Sequence, residues 1–267
     1  MTEQLHWPFV RALRVFELLE STSDAAREAL QDPACPLPMA VWARLQTGGR
    51  GQRQSAWWSD EGSLTFTLAL DPQNHGLRIE QEPRLALMAA VAVIEAIVET
   101  GLGSPGLGIR WPNDVECRGR KLGGILPERV ETAAGNRLLV GIGLNVRSRL
   151  DSAPAAVRGM ATSLESLRGG SVDPALLPTL LARILARFDR NLTRLVEGDP
   201  ELPGIWNRLD LLRGQPVRVA LGPRILQGEA QGIDEQGALR IHDGQQLHHL
   251  FGGQILRDAV AEPTSAP

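Results

Sequence analysis

Residues 39–46 alternate, with Val41, Ala43 and Leu45 on one side and Trp42 and Arg44 on the other, which predicts a strand. Residues 63–70 (SLTFTLAL) predict a second strand, and residues 13–20 one of mixed apolar content. Ser21-Thr22-Ser23-Asp24 carries the S-x-x-D pattern of a helix start, so a short helix is expected to run on through 25–30. Pro33, Pro36 and Pro38 mark a loop, and residues 47–56 predict a second, polar and glycine-containing.

Residues 84–100 are apolar nearly all round, the pattern of a buried helix; the stretch is too short, and charged at both ends, to span a bilayer. A short strand is expected at 107–111 and a hairpin of 115–117 with 122–130 around Gly119. Residues 138–146 (LLVGIGLNV) predict a central strand with glycines where something approaches the backbone. Residues 174–195 place Leu177, Leu181, Ile184, Phe188, Leu192 and Leu195 on one helical face. After Trp206 the texture changes. Residues 215–257 form short alternating segments punctuated by Gly222-Pro223, 234–237, Asp243-Gly244 and Gly252-Gly253, a small all-β module. The tail at 261–267 is expected to be disordered, and no internal repeat or low-complexity stretch is present.

The composition, 43% hydrophobic and 22% charged over 267 residues, is that of an ordinary soluble globular protein. A net charge of −3 leaves no basic footprint for nucleic acid. Met1-Thr2-Glu3-Gln4 does not open a signal peptide, so a cytoplasmic location and no membrane partner are expected. Cys35 and Cys117 match no metal or redox spacing and read as reduced thiols. The five histidines form no metal constellation; His248 and His249 are adjacent, so on a strand they face opposite sides, and no intrinsic metal is expected.

One compositional fact changes the picture. Of 28 lysine and arginine residues only Lys121 is lysine, and tyrosine is absent. A genome-wide codon bias accounts for the pattern but not for the survivor. Arginine is a rigid planar fork, lysine a compact point charge. Lys121 is therefore either a chance survivor or a position that arginine cannot fill, and its neighbours decide.

Three clusters carry candidate chemistry. Residues 46–53 (QTGGRGQR) combine three glycines, which let a ligand approach the backbone, with two arginines suited to anionic oxygens. The spacing fits neither a Walker loop nor GxGxxG, and taken alone the stretch reads better as a plain strand connection, since loops favour glycine anyway. Arg110-Trp111-Pro112-Asn113-Asp114 is followed by Lys121-Leu122-Gly123-Gly124-Ile125-Leu126, so the lysine stands seven residues after an acid across an expected hairpin. A shared mouth for Lys121 and Asp114 is expected. Turn chemistry alone explains the proline and asparagine but not the flanking acid and lysine. In Gly141-Ile142-Gly143-Leu144-Asn145 the glycines weaken an apolar strand unless a ligand or backbone fills the space, although a bulged strand reads equally well.

Together, in order and spacing, these clusters resemble the biotin protein ligases. That family carries a Ser-Thr-Asn start, a Gln-x-x-Gly-Arg-Gly-Arg-Arg-Gly loop, Lys-Trp-Pro-Asn-Asp, Lys-Leu-x-Gly-Ile-Leu and a Gly-Ile-Asn strand. Here stand Ser21-Thr22-Ser23, residues 46–53, 110–114, 121–126 and 143–145. Residues 161–164 and 214–257 look like the family's later motif and its C-terminal domain, so the resemblance covers nearly the whole chain.

The resemblance implies an α+β fold: a mixed sheet with helices of the class II aminoacyl-tRNA synthetase-like, biotin–lipoate ligase type, over residues 1–210. It implies an SH3-like β-barrel over 211–258, leaving 259–267 as a disordered tail. It implies that biotin and ATP, with Mg²⁺, give biotinyl-5'-AMP, and that biotin then passes to a lysine of a biotin carboxyl carrier protein. Lys121, Arg50 and Asp114 would be catalytic. Ser21, Thr22, Ser23, Gln46, Arg50, Gly51, Gln52, Lys121, Gly123 and Gly124 would bind biotin. Arg50, Arg53, Trp57, Asn113, Lys121 and Asn145 would bind the nucleotide. The enzyme would be a monomer or homodimer. Only about a dozen residues precede the first expected strand, too few for a three-helix DNA reader, so no operator binding is expected.

The chain departs from the family pattern in places. Ser23 stands for Asn, Arg110 for Lys, and Thr65 where an aromatic is common; Gln52, Gln54 and Ser55 replace Arg, Gly and Arg in the basic loop. Fewer charge-assisted contacts imply a less tightly held intermediate. Two other readings compete: a lipoate or octanoyl ligase on the same fold, which the Trp-Pro-Asn-Asp motif and the C-terminal β module disfavour, and a non-catalytic biotin-binding protein, against which Lys121 argues.

Overall fold

A seven-stranded mixed sheet holds the larger part of the molecule, with a five-stranded antiparallel sheet following it in the chain. The computed structural model describes residues 7–257; the expected disordered tail lies outside the described residues, as do Met1 to Gln4.

The chain starts with β1 (Ala12–Leu19), α1 (Thr22–Ala29) and β2 (Met39–Gln46), in which β1 and β2 run parallel and α1 makes the crossover. A two-stranded ribbon follows, β3 (Gly49–Arg50) with β4 (Ala56–Trp57), then β5 (Ser63–Leu70), α2 (Leu85–Glu99), β6 (Leu107–Arg110), β7 (Asp114–Cys117), β8 (Arg120–Thr132) and β9 (Gly135–Asn145). The sheet order is β1-β2-β5-β9-β8-β7-β6, and every pair beyond β1 and β2 is antiparallel. Helices α3 (Ala155–Arg158), α4 (Leu164–Arg168), α5 (Leu176–Glu197) and α6 (Leu202–Leu209) lead to the second sheet. That sheet consists of β10 (Pro216–Leu221), β11 (Arg224–Ile233), β12 (Leu239–His242), β13 (Leu247–Leu250) and β14 (Gln254–Ile255), in the order β13-β12-β11-β10-β14.

Burial explains the patterns. Every residue of β5 is buried, because the strand is central and covered on both faces. One cluster gathers Met39, Val41, Ala69 and Leu139 with Ala26, Ala29 and Leu30 of the α1 region. The main core lies on the other side, where Ala40, Trp42, Phe66 and Leu68 meet α2 and α5. Helix α2 is apolar all round because twelve of its fifteen residues are buried, whereas α5 buries only a stripe that includes Leu177, Leu181, Ile184, Phe188 and Leu192. Among the described residues no helix is long and apolar enough to cross a membrane.

Some expectations need correcting. Residues 47–56 are not a plain loop: Gly49 pairs with Trp57 and Arg50 with Ala56, closing a ribbon around a 3-10 turn at Gln52–Gln54. Ser21 occupies the N-cap position of α1, but its hydroxyl makes no cap bond; the Thr22 amide donates instead to Gln46 Oε1 at 2.7 Å. Helix α6 escaped the pattern because Pro203 and Gly204 sit in its first turn, although Leu202 and Trp206, four residues apart, are both buried. His248 and His249 each have an acid of their own, Asp243 at 2.6 Å and Asp234 at 2.7 Å.

Candidate active site

One cavity of about 630 Å³ opens where β2, the β3–β4 ribbon, the β7–β8 hairpin and the start of β14 converge. Its lining includes Ser21, Thr22, Ser23, Gln46, Arg50, Gly51, Gln52, Arg53, Trp57, Asn113, Asp114, Lys121 and Gly124. Three stretches separated by dozens of residues in sequence therefore meet in one place.

The inner wall is polar and internally satisfied. Thr67 on β5 is its hub: its hydroxyl lies 2.9 Å from Thr22 Oγ1 and 3.1 Å from Ser23 Oγ. This threonine drew no attention in the sequence, since nothing in T-F-T marks which strand residue will face a helix N-terminus. The floor is bare backbone. Gly124 of β8 stands opposite Gly143 of β9. A Cβ on Gly143 would lie 2.4 Å from Trp57 Cε2, and one on Gly124 would lie 3.2 Å from Lys121 Cε. These two facing glycines thus make room for an indole and an ammonium. The Trp57 Nε1 is buried and has no hydrogen-bond partner among the described residues.

The hairpin supplies the charge. Asp114 pairs with Gly124 and Val115 with Gly123, but Glu116 pairs with Lys121, so β8 is one residue longer here than β7. Successive strand residues point to opposite faces, so this bulge reverses the alternation. Lys121 thereby joins Asp114 and Gly124 on one face. Its Nζ lies 2.6 Å from Asp114 Oδ1 and 5.7 Å from the centre of the Trp57 ring. Neither partner is deeply buried: the side chains are 33% and 23% exposed, open enough to meet a ligand. Asn113 is structural as well as lining, donating from Nδ2 to the Ile125 carbonyl at 2.6 Å while its own carbonyl accepts from the Ile125 amide.

The second sheet completes the cavity with residues 253–257. Arg257 ion-pairs with Glu116, which is 1% exposed, and donates to the Gly119 carbonyl at 3.0 Å. Arg110 stands 3.9 Å from the same carboxylate, and its burial lowers the guanidinium's pKa. Arg53, in left-handed backbone at φ 54°, donates to Gln254 Oε1 at 3.1 Å. Trp111 Nε1 donates to the Gly237 carbonyl at 3.1 Å. No local sequence signal foretold these ties, which link positions more than 120 residues apart.

Two residues expected to line the site do not. Gly123 is absent from the cavity lining, as its neighbour Gly124 takes that face. Asn145 is buried and holds the Thr162 carbonyl at 3.1 Å, tying the end of β9 to the segment before α4 rather than opening to the cavity. Among the described residues no three His, Cys, Asp or Glu side chains gather in metal-binding geometry.

With this geometry in hand, the likeness to known proteins is specific. Residues 15–145 match the Biotin/lipoate A/B protein ligase family, and residues 213–256 match the Biotin protein ligase C terminal domain. A biotin--[acetyl-CoA-carboxylase] ligase of Paracoccus denitrificans is 33% identical over 247 residues, 88% of this chain and 100% of that protein. This chain belongs to the biotin protein ligase family. The bifunctional ligase/repressor BirA of Bacillus subtilis is 30% identical over 90% of the chain and 72% of that protein. Among solved structures, the biotin protein ligase from Aquifex aeolicus in complex with biotin and ATP superposes with a TM-score of 0.76 at 28% identity, covering 92% of this ligase and 98% of that chain.

Proposed function

We propose that this ligase joins biotin to ATP as biotinyl-5'-AMP, releasing pyrophosphate, and then transfers biotin to a lysine of a biotin carboxyl carrier protein. The observation that carries this reading is Lys121 Nζ at 2.6 Å from Asp114 Oδ1, within a cavity whose polar wall carries Ser21, Thr22, Ser23 and Gln46.

The chemistry sets the requirements. In the first step a carboxylate oxygen attacks the α-phosphorus; a P–O bond forms and the bond to pyrophosphate breaks. Two anions must meet, so cations must neutralise both and follow the charge as it develops. Lys121 is compact enough to stand between two oxygens, and Arg50, with its fork, suits a carboxylate or phosphate. The rest is alignment. Ser21, Thr22, Ser23, Gln46, Gly51, Gln52 and Gly124 would hold biotin, while Arg53, Trp57, Asn113 and Asn145 would hold the nucleotide. Asn145 would need to turn from its present partner to do so. Mg²⁺ prefers oxygen ligands and keeps several waters. The described cavity lining offers one carboxylate, Asp114, so the ion would be held mainly by the nucleotide's own phosphates. In the second step the acceptor amine attacks the mixed anhydride's carbonyl carbon, AMP leaves, and Asp114 would take the amine's proton.

The same reading takes residues 1–210 as a catalytic domain of class II synthetase-like architecture and 211–258 as an SH3-like domain. The enzyme would act as a monomer or homodimer in the cytoplasm. A net charge of −3 supports a protein partner rather than nucleic acid. Biotin-dependent exchange of pyrophosphate into ATP tests the proposal: exchange is expected in the parent protein and not in Lys121→Ala. A parent protein that binds biotin without exchange would leave only a binding role.

A further inference from the structure

The two cations of the cavity to which the reaction assigns anions are each already held by an aspartate. Lys121 is held by Asp114, and Arg50 by Asp24. Arg50 Nη1 donates to Asp24 Oδ1 at 2.6 Å and Oδ2 at 2.8 Å, and its Nη2 stands 3.9 Å from Glu128 Oε2. Arg27, one turn along α1, donates to Asp24 Oδ1 at 2.8 Å and to Glu128 Oε1 at 3.0 Å. Two acids and two arginines thus close a ring of zero formal charge joining α1, the β3–β4 ribbon and β8.

Three features make this ring exchangeable. Its side chains are 26–46% exposed, so water and small anions reach it. Exposed ion pairs of this kind are weak, because solvent competes with them. Glu128 Oε2 is buried with no hydrogen-bond partner among the described residues, so the ring has an acceptor to spare and can re-pair. Arg27 already shares Asp24, and it is the natural resting partner for that carboxylate once Arg50 is taken.

We propose that Asp24 is an internal competitor for the substrate carboxylate. In the ligand-free enzyme it occupies Arg50, the substrate carboxylate binds by displacing it, and Arg27 retains the displaced group. Asp24 is therefore a positioning residue acting through Arg50, and it sets how strongly the site favours a carboxylate over an uncharged analogue. The inference rests on the reading that the substrate is biotin and that Arg50 meets its carboxylate.

Calorimetric titration of the full chain with biotin and with biotinol, its uncharged alcohol, tests the inference. Asp24→Asn is expected to tighten biotin about two- to fivefold, the range that an exposed ion pair commands. It should leave biotinol within about twofold and lower KM for biotin more than it changes kcat. Asp24→Glu should restore parent affinity. Arg27→Gln, which leaves Asp24 to Arg50 alone, should weaken biotin and spare biotinol. If Asp24→Asn weakens both ligands alike, Asp24 merely braces the ribbon and the inference fails; an unchanged biotin affinity also overturns it. Absence of biotin binding by the parent protein would instead remove the underlying functional reading and this inference with it.

Discussion

Lys121 meets Asp114 at 2.6 Å because one extra residue is accommodated in β8 where it pairs with β7. Regular pairing would turn the lysine to the opposite face, towards the core that holds Leu122. Glycine at 124 leaves the room that the lysine uses, since a Cβ there would stand 3.2 Å from Lys121 Cε.

A charge-preserving change should therefore fail there. Lys121→Arg keeps the cation but needs room for a planar fork. Its kcat in pyrophosphate exchange is expected to fall about 10²- to 10³-fold, the scale for losing one preorganised electrostatic contact. Circular dichroism should show the fold intact. Near-parent exchange by the arginine variant would contradict this account of the site.

The thinned basic loop should show in the lifetime of the intermediate. Gln52 lines the cavity as a neutral side chain. Gln52→Arg adds a cation that makes charge-assisted contacts to phosphate or carboxylate oxygens. Biotinyl-AMP release, followed by rapid filtration, is expected to be several-fold slower in the variant. Equal release rates would show that this position does not hold the intermediate.

Asp210, between α6 and the second sheet, predicts a pH-dependent stability. Burial raises its pKa from 3.8 to about 6, and its Oδ2 has no hydrogen-bond partner among the described residues. The folded state therefore binds the proton more tightly than the unfolded chain does. The carboxyl imposes no cost below about pH 4, where it is protonated in both states. Its destabilisation grows as pH rises from 4 to 6 and is complete above about 6. Asp210→Asn can keep the bond that Oδ1 accepts from the Leu212 amide at 2.9 Å. Above pH 7 it should be more stable than the parent by about 1–3 kcal/mol, with the two denaturation curves converging near pH 4. Parallel curves across that range would show that another group governs the titration.

The tie between the sheets at Glu116 should be costly to break. This carboxylate is 1% exposed, and Arg257 is its hydrogen-bonded partner. Arg257→Ala leaves a buried acid with only the more distant Arg110, at 3.9 Å. A loss of about 3–5 kcal/mol is expected from chemical denaturation. The double variant Arg257→Ala with Glu116→Gln should recover part of it. Additive losses would mean that the pair is not coupled.

Much of this protein was legible in its sequence. Strands β2 and β5 were predicted to the residue, since alternation and bounding loops are local signals. Helices α2 and α5 were legible from their apolar patterns, and the small all-β module from its turn residues. The lone lysine in an arginine-rich chain, beside Trp-Pro-Asn-Asp, marked the site because residue type and spacing carry chemistry directly. The structure alone decided which groups face one another. The shared mouth of Lys121 and Asp114 was expected from their spacing, but the one-residue bulge that turns both to one face is legible only as pairing. Thr67 became the hub of the inner wall, Asp24 and Glu128 closed on Arg50, and Arg257 reached Glu116 across 141 positions. Asn145, the expected nucleotide ligand, turned inward to Thr162. Local pattern reports whether a position is buried and how the backbone runs. Partners distant in the chain are selected only when the sheet closes and each buried donor, acceptor and charge must find a match.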